Sequence, residues 1–233
     1  MPRKKPISSA GVDNDTAGTA LQLTVRLKHV SPPIWRRVLV ASTMTLRELH
    51  GVLQVAMGWE GIHLFLFRIR AVSYGSWELS VHSPDIALSS LKLRVGARFT
   101  YEYDLNLPWE HEVRVEAVAP LEGGQLNPKC LDGKEPCPPE ECPGPAWFME
   151  NRDAEFSIEN VEDYEVMSDF LGELLEKDGV ARLREEGALD EISDVVERME
   201  ERQRWRGVPF KLADVNERLK SAEHLDLMYQ QQF

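Results

Sequence analysis

Cys130, Cys137 and Cys142, spaced C-x6-C-x4-C, and His111 upstream of them are the residues whose types first suggest chemistry. Three thiolates and an imidazole make a full tetrahedral ligand set for a structural zinc ion. A proline-rich loop with few ladder bonds is where such a clip adds most order. The same residues also fit free thiols filling apolar gaps, with His111 an ordinary hairpin residue, because an odd number of cysteines suits a reducing compartment. A disulfide or redox pair with one thiol left over is the third reading. A closed four-ligand site leaves no position for a substrate water, so such a zinc would hold the loop rather than catalyse. A nucleophilic cysteine paired with His111 or His63 fits poorly. Glu140 and Glu141 in CPPEEC lie beside Cys137 and Cys142, and nearby negative charge raises a thiol pKa.

Asp104, Glu116, His111 and His63 offer a second chemistry, a metal-dependent hydrolase acting on a phosphate or nucleic-acid substrate through a bound water. Against it, Glu102, Asp104, Glu112 and Glu116 all fall at the polar positions of alternating segments, as on a solvated strand face. A third possibility is a DNA-binding accessory factor using Arg26, Lys28, Arg36, Arg37, Arg68, Arg70, Arg94 and Arg98. Trp35 beside Arg36 has the aromatic-plus-cation composition of a single-strand stacking platform. The net charge of −12 opposes phosphate binding. That charge is uneven: residues 1–120 carry 14 basic and 11 acidic side chains, and residues 121–233 carry 13 and 28. Acidic C-terminal helices covering an arginine-rich strand face would account for the split. Trp109, between Asp104 and His111, is the tryptophan best placed to touch a ligand. Trp35, Arg36, His63, Asp104 and Trp109 are therefore the ligand-binding candidates. No G-x-G-x-x-G, no P-loop and no assembled triad occurs, which points to a binding or interaction protein with an unknown protein partner and no catalytic residues.

The elements that must position these residues follow from periodicity. In LQLTVRLKHV, Leu21, Leu23, Val25 and Leu27 alternate with polar residues, a strand with one wet face that Pro32 and Pro33 terminate. IWRRVLV is a second strand whose entry presents Trp35, Arg36 and Arg37 together. Thr45 with Glu48 forms a capping box, the apolar residues from Leu46 to Met57 recur at helical spacing, and Gly58 ends the helix. HLFLFRIR is apolar on both faces at its start, which predicts a central strand. ARFTYEYDL and HEVRVEAV alternate cleanly around NLPWE and predict an antiparallel hairpin. Residues 120–146 hold all three cysteines and seven of the 14 prolines and read as a loop. Beyond Asn160 the chain is helical and acidic. One amphipathic stripe runs through Val161, Tyr164, Met167, Phe170, Leu171, Leu174 and Leu175, another through Leu189, Ile192, Val195, Val196 and Met199, and a short helix spans about Leu212–Leu219.

The order of strands around one helix, then a loop, then helices, predicts an α+β fold with a mostly antiparallel or mixed sheet packed by a helix. Residues 1–19 read as a disordered arm, 20–150 as the core and 151–233 as an acidic helical extension packed on it. With 233 residues, 42% hydrophobic and 28% charged, the chain can bury a sizeable core. No apolar run reaches the length of a membrane span. MPRKKPISS is not followed by an apolar stretch, so the expected location is the cytoplasm.

Several segments in consistent order carry a resemblance: LKHVSPPIWRRVLV, LRELHGVLQVAMGW followed by HLFLFRI, YEYDLNLPWEHEVRVE and CLDGKEPCPPEECPG. Over about residues 21–150 the chain resembles the Ri-plasmid ORF-3-like family, found on plasmids and beside insertion elements. The resemblance implies an α+β fold, an uncharacterised activity and a role accessory to mobile elements or host proteins. Two departures stand out. Members commonly read Tyr-Asp-Phe-Gly-Asp before Trp-x-His, whereas here Tyr103-Asp104-Leu105-Asn106-Leu107-Pro108 precedes Trp109 and His111, so a second acid is missing. The usual His-Leu-His is His63-Leu64-Phe65. PFKLADVNERL resembles the end of typical members, which makes residues 151–205 an acidic elaboration. Some members carry a resolvase-like label, for which the residues give no support, since the constellation of a nucleophilic serine in an arginine-rich site plus a helix-turn-helix is not recognisable in the sequence.

Overall fold

The computed structural model describes residues 18–121, 126–176, 179–180 and 188–229. The expected N-terminal arm lies outside these residues except at its end, where Thr19 already belongs to the first strand. Seven strands, β1 (Thr19–Leu27), β2 (Trp35–Ala41), β3 (Phe65–Ile69), β4 (Val72–Gly75), β5 (Arg98–Tyr103), β6 (Trp109–Pro120) and β7 (Lys129–Lys134), form one open sheet. Its order is β4-β3-β5-β6-β1-β2-β7, and every neighbouring pair is antiparallel. Six helices accompany it among the described residues: α1 (Leu46–Met57), α2 (Pro145–Asn151), α3 (Ile158–Leu174), α4 (Ala188–Trp205), α5 (Leu212–Lys220) and α6 (Glu223–Asp226). The fold is α+β.

Alternation gives the sheet two unlike faces. Leu23, Val25, Leu27, Val38, Val40, Phe65, Phe67, Phe99, Tyr101, Val113 and Val115 point to the inner face and are buried with α1. Helix α1 has its capping box as expected: Thr45 accepts from the Glu48 N–H, Glu48 accepts from the Thr45 N–H, and Gly58 closes the helix in the left-handed region. A second helical layer covers α1. Gly51 makes this possible, because a Cβ there would stand 1.9 Å from the His224 carbonyl oxygen of α6. Val215, Leu219 and Leu227 of the C-terminal segment join the core.

Three expectations are corrected. Strand β3 lies second from the β4 edge instead of centrally, and Leu66 is buried on its outer face where the side-chain-free backbone of Gly75 approaches. The 120–146 loop contains β7, whose sequence KCLDGK lacks the alternation that marks a strand. It pairs with β2, and Gly133 sits where a Cβ would meet Arg36 and Phe210 at 2.8 Å. The arginine face is not covered by the acidic helices. Its partners are glutamates of the sheet itself: Lys28–Glu110 at 2.5 Å, Arg37–Glu116 at 2.7 Å, Arg68–Glu102 at 2.6 Å and Arg98–Glu112 at 2.9 Å. Cross-strand neighbours on one face are within ion-pairing reach, so the sheet neutralises its own outer surface. No described helix is long and apolar enough to cross a membrane.

Candidate functional site

The singled-out residues do not gather in one place. Trp35 is half-buried on the outer face, with the Arg37 guanidinium 5.2 Å above its ring. Arg36, its neighbour, points the other way, as strand alternation requires, and is only 1% exposed. Its guanidinium donates to the carbonyls of Ala56 and Trp35 at 2.9 Å, of Lys134 at 2.9 Å and of Glu135 at 3.1 Å, and stacks 4.2 Å from Phe210. Burial pulls its pKa down, and the nearby Cys137 and Cys130 thiols oppose that shift. Arg36 thus ties α1, β2 and β7 together with all its donors turned inward.

His63 and Asp104 do come together, at the end of the sheet where β5 turns into β6. His63 Nδ1 lies 3.9 Å from Asp104 Oδ1. Asp104 is buried, takes the left-handed conformation (φ 55°), and accepts from the Asn106 N–H at 3.2 Å, which shapes the hairpin turn. Tyr103 links this corner to the CPPEEC segment through a hydrogen bond from its hydroxyl to Glu140. Glu140 also accepts from the Glu60 N–H at 2.6 Å and the Ile62 N–H at 3.3 Å. Glu140 therefore fastens the α1–β3 connection. Trp109 is buried against Trp59 and Phe148, 1% exposed.

His111 faces the core beside Tyr101 and Trp59, and neither ring nitrogen has a partner at hydrogen-bonding geometry. Burial pushes its pKa down to about 4, the Tyr101 and Trp109 carbonyls partly offsetting this. His50 on α1 behaves alike: it stacks on Phe65, meets the Tyr101 hydroxyl at 2.7 Å, and burial lowers it to about 3. The three cysteines are buried free thiols. Burial pushes Cys137 up to about 12 and Cys142 up to about 11, and raises Cys130. Glu140 raises Cys137 further, in the direction CPPEEC suggested, as a smaller cause than burial. Among the described residues no three His, Cys, Asp or Glu side chains gather as a metal-holding group, so His111 and the thiols are not assembled as a ligand set. Cys130 and Cys137 instead mark backbone junctions. The Asn216 amide of α5 accepts from the Cys130 N–H and donates to its carbonyl, both at 2.9 Å, and Cys137 exchanges two backbone bonds with Val208 at 3.1 and 2.8 Å.

An extended concavity lies elsewhere, along α4. Helix α3 is turned contrary to its apolar stripe. It buries Asn160 and Asp163 against α4, where Asp163 receives Arg198 at 2.6 Å and Arg202 at 2.5 Å, and Arg202 also donates to Asn160 at 3.1 Å. Val161, Tyr164, Leu171, Leu174 and Leu175 consequently remain exposed, Leu175 at 87%. Tyr164, Met167, Val196 and Met199 line a cavity of about 280 Å³ between the two helices. Glu200 and Gln203 carry it into a second cavity of about 710 Å³, walled by Pro136, Pro139, Val208 and Pro209 and bordered by Arg204 and Arg206. The residues of α3 include Glu159, Glu162, Asp163, Glu165, Asp169 and Glu173 and no Lys or Arg.

Comparisons with known proteins place the fold. Over 138 residues the chain is 38% identical to the uncharacterized protein y4hQ of Sinorhizobium fredii (strain NBRC 101917 / NGR234), covering 57% of this chain and 71% of that one. The crystal structure of MM3350, a protein of unknown function from Methanosarcina mazei Go1, superposes with a TM-score of 0.57 at 28% identity, covering 64% of this chain and 88% of the other. The sequence model described as plasmid pRiA4b ORF-3-like protein matches residues 19–181, from the start of β1 past the end of α3, and the chain belongs to that family.

Proposed function

We propose that the protein is a binding module, acting in a reducing compartment such as the cytoplasm, that captures a cationic amphipathic segment of a partner protein along the α3–α4 groove. That partner is a protein of the host or of the mobile element on which relatives are carried. The observation behind this reading is the inverted packing of α3, which commits its polar residues to α4 and turns an apolar stripe to the solvent. Contiguous exposed apolar surface bordered by charge is the usual mark of a partner surface. Methionines and a tyrosine give it adaptable walls. The chemistry of the occupant follows from charge along α3: apart from Asp163, which Arg198 and Arg202 neutralise, five acids and no base on that helix attract lysine and arginine, while Arg204 and Arg206 confine the cationic part of the occupant to the α3 side. Helix-in-groove recognition needs apolar anchors at helical spacing, which an amphipathic basic segment supplies.

The test uses a synthetic leucine–lysine amphipathic peptide and a scrambled peptide of the same composition, titrated against the full chain by fluorescence anisotropy. The amphipathic peptide is expected to bind, the scrambled one to bind much more weakly, and Tyr164→Ser with Met167→Ser, which removes apolar wall without changing charge, to weaken binding at least about tenfold, the loss of one good anchor. Equal binding of the two peptides, or no effect of the double variant, overturns the reading.

A further inference from the structure

On the outer face of the sheet several cations are matched by carboxylates, while Arg26 and Arg114 stand in no ion pair among the described residues. Lys28, Arg37, Arg68 and Arg98 each have a glutamate partner, and Arg47 at the start of α1 has Asp85 at 2.6 Å. Arg70, Lys92 and Arg94 also stand in no ion pair among the described residues, and these three gather in one place. With Ala97 they line a cavity of about 390 Å³ between the β3–β4 turn and the segment entering β5, at the opposite end of those strands from His63 and Asp104. No carboxylate lines this cavity. Arg70 donates one N–H to the Leu91 carbonyl at 3.3 Å, which steadies the guanidinium and leaves its other donors open.

Two of the three cations stand on left-handed backbone, Arg70 at φ 56° and Lys92 at φ 49°. That conformation is costly for a residue with a Cβ, and here both instances border one concavity. Three like charges on one cavity wall repel one another, and a single multivalent anion relieves all three at once. A phosphate group suits the arrangement: it carries about −1.5 to −2 charges and three strong acceptors, and guanidinium forks bind it bidentately. On a chain of net charge −12, general attraction for polyanions is unfavourable, so affinity must come from such a local cluster.

We propose that Arg70, Lys92 and Arg94 form a binding site for a phosphate group, either free or carried on a polynucleotide. The site shares no residue with the α3–α4 groove and stands or falls separately from it.

Two arms test the site on the full chain. Inorganic phosphate and pyrophosphate are titrated calorimetrically against sodium chloride of matched ionic strength, and a labelled oligothymidylate is followed by anisotropy at about 50 and about 200 mM salt. Lys92→Ala with Arg94→Ala, both exposed positions, is the comparison, with thermal melting as the control for folding. The expected result is at least about tenfold weaker binding in the variant. Tighter binding of the oligonucleotide, with a salt slope reduced by about 1.4 in the variant, identifies a polynucleotide source. Binding of inorganic phosphate or pyrophosphate with a weaker oligonucleotide identifies a free phosphate ligand. No binding of any probe, or equal binding by the folded variant, overturns the proposal.

Discussion

His50 and His111 show what burial does to single residues that look like chemistry. Both rings sit in the aromatic interior and are held neutral, at about 3 and about 4 against the ordinary 6.5. An unfolded chain binds protons on both below pH 6.5 while the folded chain does not. Stability is therefore complete above about pH 6.5 and falls as pH drops from there toward the folded values. Each ring contributes at most about 1.4 kcal/mol per pH unit in that window. His224, also lowered by burial, adds in the same direction. Urea unfolding at neutral and mildly acid pH is expected to show this loss, and His111→Phe to reduce its slope. Because the buried His111 ring nitrogens make no hydrogen bond of good geometry and only the Tyr101 and Trp109 carbonyls act on them as acceptors, the phenylalanine variant is expected to be as stable as the native chain at pH 7.5 or more stable by up to about 1 kcal/mol. A loss of several kcal/mol there would show that the ring holds a partner. Arg36 teaches a related lesson: two adjacent arginines looked like one cationic patch, and the pleat sends one of them into the core.

At the scale of elements, Gly51 decides whether two helices can meet. Alanine is the better helix former by about 1 kcal/mol, yet its methyl would overlap the His224 carbonyl. Gly51→Ala is expected to destabilise the chain by about 1–3 kcal/mol and to speed hydrogen exchange in α5 and α6. A more stable variant with unchanged exchange would mean that α6 does not rest on α1. Elements were legible where local signals agreed. The capping box and Gly58 bounded α1, and alternation with a short polar connection marked β5 and β6. Strand β7 was hidden because an edge strand with Asp132 and Gly133 buries little, its outer edge being satisfied at Cys130 by Asn216 from far along the chain. The groove was illegible for a similar reason. Periodicity identified the stripe on α3, but the face that packs was chosen by Arg198 and Arg202, and the walls come from three separate segments. Charge totals misled as well, since acids adjacent across the sheet had already matched the arginines.

Across the whole molecule, sequence distance and structural depth part company. Residues 208–229 supply Val215, Leu219 and Leu227 to the core, the Phe210 ring over Arg36 and the Asn216 amide on β7. The α3–α4 pair, nearer to the sheet in sequence, keeps much apolar surface in water. Native-state hydrogen exchange is expected to separate the two, with α5 amides protected together with those of β1 and β6 and the α3–α4 amides opening at least about 2 kcal/mol below the global transition. Protection of α3 and α4 equal to that of β1 would contradict this ordering.

The position of β1 also has a consequence for how the protein is made. Among the described elements this strand precedes all others in the chain, lies between β6 and β2, and has its layer closed by helices that follow the acidic segment. At about 5–20 residues per second, β1 and α1 wait many seconds in the nascent chain with their greasy surfaces uncovered before α5 and α6 arrive. During that interval the emerging polypeptide needs shelter from aggregation, and the acidic stretch that emerges just before closure helps to keep it in solution.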